Sequence, residues 1–281
     1  MLAVVIGVIG IVIVLASENA LVVHPKGIVA QNILELIVAN ILLMLLIILP
    51  TYILLFAVVW KYCIKNEHAK YDPDHTSGAI GELLMWGLPS VIVAVMAIVI
   101  WNGTYKLNPY KPLESEVKAL TVQVVALDWK WLFIYPELGI ATLNYFHIPE
   151  GTPIHLRLTA DGSPMNSFWI PQLSGQIYSM TGMSTQLFLM ADKPGDYVGR
   201  AVEINGEGYA DMTFAVKSTT PKDFEDWIAQ VKKSSFKLTE SSYEELVKPS
   251  VNKSVILFSD VEKDLYRKII QKYMYPTKPI L

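Results

Sequence analysis

The chain carries a single cysteine, Cys63, among 281 residues. One thiol excludes an internal disulfide, a zinc finger, an iron–sulfur cluster held by this chain alone and any CxxC redox chemistry. Charge is scarce too: 17% of residues are charged and 52% are hydrophobic, whereas soluble domains average about 25% charged. Basic excess is also absent. The net charge is −3 and the lysines are scattered, so nucleic acid is not an expected partner. P-loop, dinucleotide and serine-nucleophile motifs do not occur. The stretches "DGSPMNS" and "NGEG" are turn sequences outside any strand–loop–helix context. The chain has five histidines. Two of them, His147 and His155, fall in strand-like runs and read as ordinary strand or surface residues. No long internal repeat or low-complexity tract is present.

Apolar runs fill the first 101 residues. "MLAVVIGVIGIVIVLAS" is uncharged, ends in small residues and is short for a spanning helix. Residues 1–16 are expected to be a signal-like segment, with Val14 and Ala16 placed for cleavage before Ser17. A retained helix is the alternative. Two longer runs follow within residues 28–105, Leu36 to Trp60 and Leu83 to Tyr105, both without charge. Each is long enough to cross a hydrocarbon core of about 30 Å, so a transmembrane hairpin is expected. Pro50 should kink the first helix, leaving a carbonyl for a neighbouring helix to cover. Trp86 and Trp101 stand near the ends of the second run, as interfacial tryptophans do. The connecting segment holds Lys61, Lys65 and Lys70 and is assigned to the cytoplasm. Residues 106–281 are then extracytoplasmic.

Residues 118–217 alternate apolar and polar positions in short runs: "LTVQVVA", "PIHLRLTA", "STQLFLM", "DMTFAVK". This spacing predicts an antiparallel β-sandwich or Greek-key barrel. Residues 218–281 turn helical. "PKDFEDWIAQVKK" sets Phe224, Trp227, Ile228 and Val231 at helical spacing, and "DLYRKIIQKYM" is a second amphipathic stretch. Between the sandwich strands, "DWKWLFIYPE" places Trp129, Trp131, Phe133 and Tyr135 at period two. They should share one face, either in the core or as a docking surface. Glu82 begins the second span. It is either an acid favoured by the helix dipole or a carboxylate at the entrance of a proton path. Glu35 invites the same question less strongly.

Two frames carry a specific resemblance. "MNSFWIP" ends at Pro171, and "GRAVEINGEGYADM" runs from Gly199 to Met212. Both are similar to the ligand segments of subunit II of the haem–copper terminal oxidases, in which histidine and cysteine positions hold a dinuclear copper. Gly199, Glu203, Gly206 and Met212 match that frame. Asn166 and Tyr209 stand in the histidine positions, and Ala201 and Asn205 in the cysteine positions. A dinuclear copper needs bridging thiolates and imidazoles, and all four are missing. The chain therefore resembles the quinol-oxidase branch, whose subunit II lacks this copper. The likeness extends through "LMADKPGDYVG", "SGQIYSMTGMSTQL" and the C-terminal "ILFSDVEKDLYRKIIQKYM", covering Ala20 to Met274. Ser17 stands where some relatives carry a lipid-bearing cysteine, so lipidation is not expected.

The resemblance implies a membrane-anchored all-β protein: two transmembrane helices, an extracytoplasmic cupredoxin-like sandwich and an aromatic-rich helical tail. It implies an inner-membrane location and a role as subunit II of a proton-pumping oxidase that transfers electrons from quinol to O₂. Haems, copper and the quinol site then belong to partner subunit I, with further small membrane subunits, and this chain holds no cofactor. Glu82 gains weight as a proton-channel residue, since Trp86 and Pro89 match the family's helix beyond it. The alternative is a membrane-anchored, copper-free cupredoxin-like module that binds or assembles something other than an oxidase.

Overall fold

The computed structural model describes residues 17, 20–63, 66, 78–163, 165–251 and 254–274. The signal-like reading of residues 1–16 lies outside the described residues, as do Lys65 and Lys70. Two compact units result: Ile33–Asn108, and the remainder of the chain.

Two helices dominate the first unit, α1 (Ile28–Lys61) and α2 (Ala79–Lys106). Both are long and apolar enough to cross a membrane. Ala30 in α1 and Ile92 in α2 are their buried residues; most of their other apolar side chains are exposed, as on hydrocarbon-facing helices. Gly103 lets the pair approach, because a Cβ there would lie 2.8 Å from Leu36 Cδ2. Each helix contains one proline, Pro50 or Pro89. The hydroxyl that follows each proline bonds back into its own helix. Thr51 Oγ1 donates to Ile47 O at 2.8 Å and Ser90 Oγ to Trp86 O at 2.6 Å. Each bond reaches the carbonyl one residue beyond the one its proline frees (Leu46 O and Met85 O), and such back-bonding bends a helix.

In the second unit, eleven strands make two sheets among the described residues. They are β1 (Leu120–Leu127), β2 (Lys130–Tyr135), β3 (Ile140–Leu143), β4 (Tyr145–Pro149), β5 (Ile154–Ala160), β6 (Met165–Trp169), β7 (Ile177–Met180), β8 (Thr185–Leu189), β9 (Gly195–Ala201), β10 (Thr213–Thr219) and β11 (Ile256–Phe258). The six-stranded sheet has the order β11-β3-β2-β1-β5-β8 and the five-stranded sheet β4-β10-β9-β6-β7. The β1–β5 and β10–β4 pairs are parallel and the others antiparallel. The four runs expected to be strands are β1, β5, β8 and β10. Between the sheets lies an aromatic core in which Phe168 and Phe214 stack at 5.1 Å and Trp131 meets both edge-on.

The C-terminal tail is helical, with one short strand inserted among its helices. It holds α3 (Pro221–Val231), α4 (Glu240–Val247), strand β11 and α5 (Leu265–Met274). Thr220 caps α3 by accepting from Asp223 N at 3.3 Å, with Pro221 in the first turn. A capping box, Thr239 with Ser242, starts α4. Leu238, Tyr243, Phe258, Leu265, Tyr266 and Ile269 cover the outer face of β1–β3, where Val125, Leu127, Leu132 and Ile134 would otherwise be exposed. The tail is therefore a third layer. It explains why β2, "KWLFIY", is buried at every position: a strand covered on both faces loses its alternation.

Two buried charges hold that layer. Lys130 is 2% exposed, and its ammonium donates to Leu246 O at 2.7 Å in the last turn of α4, and to Lys248 O at 2.8 Å and Ser250 Oγ at 2.7 Å just after it. Burial lowers its pKa, and the charge of Asp128 partly offsets this. Asp161 is fully buried. It accepts from Tyr243 Oη at 2.7 Å, Lys272 Nζ at 2.8 Å and Tyr273 Oη at 2.6 Å. Burial opposes the charge on Lys272, but the hydrogen bond and charge of Asp161 outweigh it and raise its pKa.

The segment before α1 is pinned to the same unit. Lys26 N donates to Gln172 O at 2.8 Å and Asp192 N to Lys26 O at 3.1 Å. Gly27 is obligatory here, since a Cβ would fall 2.3 Å from Met190 O.

Candidate functional site

The metal-type frame assembles at one end of the five-stranded sheet. β6 carries Asn166, β9 ends at Ala201, and the loop to β10 supplies Glu203, Asn205, Tyr209 and Met212. Neighbouring backbone bonds set this arrangement: Ala201 N donates to Met212 O at 3.0 Å and Val202 N to Ser167 O at 3.2 Å. Asn166 and Met212 are fully buried and Ala201 nearly so. Glu203, Asn205 and Tyr209 are half-buried, and Tyr209 packs on the core.

The amide of Asn205 bridges this group. Its Nδ2 donates to Asn166 Oδ1 and also lies 3.1 Å from Met212 Sδ. The side chains that stand in two metal-ligand positions therefore bind each other and the retained thioether. Among the described residues, no thiolate or imidazole faces them. The amide nitrogen of Asn205 is committed as a donor and Ala201 offers no donor atom, so the set does not fit a dinuclear copper. His147 and His155 are placed elsewhere. His147 Nε2 is 2.9 Å from Thr219 Oγ1, and its ring lies tilted 4.4 Å from Trp227. His155 stacks on Phe188 at 4.5 Å and meets Gln186. Burial pushes the His147 imidazole down to about 4, helped by Lys217 and opposed by Asp196 and Asp223. It is a neutral structural residue at pH 7.

Packing accounts for the glycines of the frame. A Cβ at Gly199 would lie 1.9 Å from Phe214 Cζ, and Gly206 has φ +121°. At Gly208 a Cβ would meet the Trp129 ring at 2.4 Å. Trp129 thus lies flat against the loop. It is not in register with the other aromatics: it occupies the two-residue β1–β2 turn with φ +61°. The strand period begins only at Lys130, so Trp131, Phe133 and Tyr135 share the core face without it. Trp131 is fully buried and Trp129 half-buried. The turn was the feature that periodicity alone missed; the Asp128 preceding Trp129 was its available sequence signal.

Glu82 sits in the first turn of α2, exposed, four residues after the N-cap Gly78. Glu35 lies within α1 and is exposed as well.

Two apolar helices and a cupredoxin-like sandwich whose metal frame lacks soft anionic donors define a membrane-anchored member of the copper-protein fold class. The COX Aromatic Rich Motif family matches residues 232–277, the tail that covers the second face of the sheet. Cytochrome bo(3) ubiquinol oxidase subunit 2 of Pseudomonas aeruginosa is 45% identical over 251 residues, 89% of this chain and 75% of that protein. Ubiquinol oxidase subunit 2 of Acetobacter aceti is 42% identical, covering 93% of this chain and 85% of its own. Quinol oxidase subunit 2 of Bacillus cereus is 40% identical over 84% and 81%. Among solved structures, the periplasmic domain of subunit II of cytochrome oxidase from Bradyrhizobium japonicum aligns with 21% identity and a TM-score of 0.41, over 44% of this chain and 98% of that one. The chain belongs to the quinol oxidase subunit 2 family. It is an inner-membrane component of an oxidase complex, with its sandwich domain on the periplasmic side.

Proposed function

We propose that this chain is the non-catalytic second subunit of a respiratory quinol oxidase, in which 2 quinol + O₂ give 2 quinone + 2 H₂O within partner subunit I. The observation that carries this reading is the Asn166–Asn205–Met212 contact in place of copper donors. A frame closed by neutral amides supplies no one-electron centre, so electrons from a soluble cytochrome have no port in this chain. Quinol arrives through the bilayer and needs none. The sandwich then serves as a periplasmic cap, and the outward apolar faces of α1 and α2 are the surfaces that meet subunit I and the lipid. The names carried by the relatives favour this reading over a free-standing cupredoxin-like module.

Glu82 belongs to the same proposal as a carboxylate at the entrance of a proton path. An exposed acid at the cytoplasmic start of a span is placed to collect protons for a neighbouring subunit. The deciding experiment is oxygen consumption by the purified complex with quinol as sole donor, beside metal analysis of the separated chain. Turnover without cytochrome c, and no dinuclear copper in this chain, are expected. A strict requirement for reduced cytochrome c would overturn the reading.

A further inference from the structure

Three methionines of the sandwich sit at neighbouring backbone positions: Met165 beside Asn166 of the first frame, Met180 and Met183 outside both frames. Met165 opens β6 and is the Cα partner of Met180 at the end of β7. Register partners carry their Cβ atoms about 4.5–5.5 Å apart on one face. Met180 also begins the turn Met180–Thr181–Gly182–Met183, in which Gly182 has φ +70°. The ends of such a turn lie within about 7 Å, which brings the Cα of Met183 close to that of Met180. Met165 is 38% and Met183 52% exposed, and Met180 is half-buried. Methionine is normally a core residue, yet none of these three belongs to either hydrophobic cluster of the domain.

The backbone beneath them is held firmly. Thr159 Oγ1 donates to Met180 O at 3.2 Å, Thr185 Oγ1 to Tyr178 O at 2.6 Å, and Ser179 Oγ to Thr159 O. Gly182 is seated against Tyr273, whose Cβ would lie 3.2 Å from a Cβ at Gly182. Tyr273 is itself fixed by Asp161. The β6–β7 pair and its rigid turn thus carry three long, polarizable side chains on neighbouring backbone positions.

We propose that Met165, Met180 and Met183 form a binding site for a soft monovalent cation, copper(I), held by three thioether sulfurs. Thioethers select soft copper(I) over the hard divalent ions. They carry no proton, so binding is independent of pH across the range in which histidine or carboxylate sites release metal.

The test loads the purified complex anaerobically with copper(I) and titrates it against a chromophoric copper(I) chelator. Wild type is expected to hold one copper(I) more than M165L/M180L/M183L, equally at pH 5 and pH 8, with sulfur neighbours in its X-ray absorption spectrum. M183L changes one half-exposed side chain and leaves the fold intact. It should bind at least about tenfold more weakly, since even outer-shell partners are worth 10–100-fold. Copper(I) binding by M183L equal to wild type, or binding lost at pH 5, would overturn the proposal. If the triple variant fails to assemble while M183L binds normally, the patch is a protein contact and the proposal falls.

Discussion

Gly208→Ala should destabilise the chain in the presence of Trp129 and stabilise it in its absence. Gly208 has φ −86° and ψ 6°, which alanine adopts without strain. Alanine there restricts the unfolded chain and by itself adds about 0.4–1 kcal/mol. The added Cβ, however, would sit 2.4 Å from Trp129 Cγ and Cδ2. These atoms lie next to the Trp129 backbone, which is locked at φ +61°, so the ring cannot swing clear by bending its far end. Overpacking of this kind costs about 1–3 kcal/mol. In wild type the net loss is then up to about 2.5 kcal/mol, while in a Trp129→Ala background the same change gains about 0.4–1 kcal/mol. The assay is a double-mutant cycle on the full-length chain in detergent. It is read by the unfolding midpoint, at about 2–4 °C per kcal/mol for a domain of this size, and by hydrogen exchange at Asp211 and Met212. Equal destabilisation by Gly208→Ala in both backgrounds would refute the stacking argument, because the coupling would be zero.

Further outcomes follow from the same contacts. His147 is held neutral, with a folded pKa of about 4 against about 6.5 when unfolded. The unfolded state therefore binds the extra proton between these values. Its contribution is complete above pH 6.5 and is lost as pH falls to 4, by about 3 kcal/mol; His147→Leu should flatten this part of a stability–pH curve. Asp161→Ala removes the acceptor of two tyrosines and a lysine and should cost about 3–5 kcal/mol, seen as faster proteolysis within 232–274 while α1 and α2 remain protected. Glu82→Ala in the assembled complex should slow proton uptake and turnover with little change in the quinol KM; unchanged turnover would remove Glu82 from the proton path.

Local pattern determined much of this protein on its own. Two uncharged runs became α1 and α2, because length and apolarity are the only requirements for a span. Alternation located β1, β5, β8 and β10, and cap residues with helical spacing located α3. The missing donors at Ala201, Asn205, Asn166 and Tyr209 were legible from identity alone, since amides and alanine cannot replace thiolates. What the pattern could not give was pairing across the chain. β11 is three residues long and exists only because β3 offers an edge to it. Nothing local marks Lys130 and Asp161 as buried; the tail brings their acceptors and donors from more than 80 residues away. Asn205 meets Asn166 across 39 residues, and only the closed sandwich sets that distance. Local preference is written in neighbouring residues, but burial of a charge or an amide is decided by whichever distant segment excludes water from it.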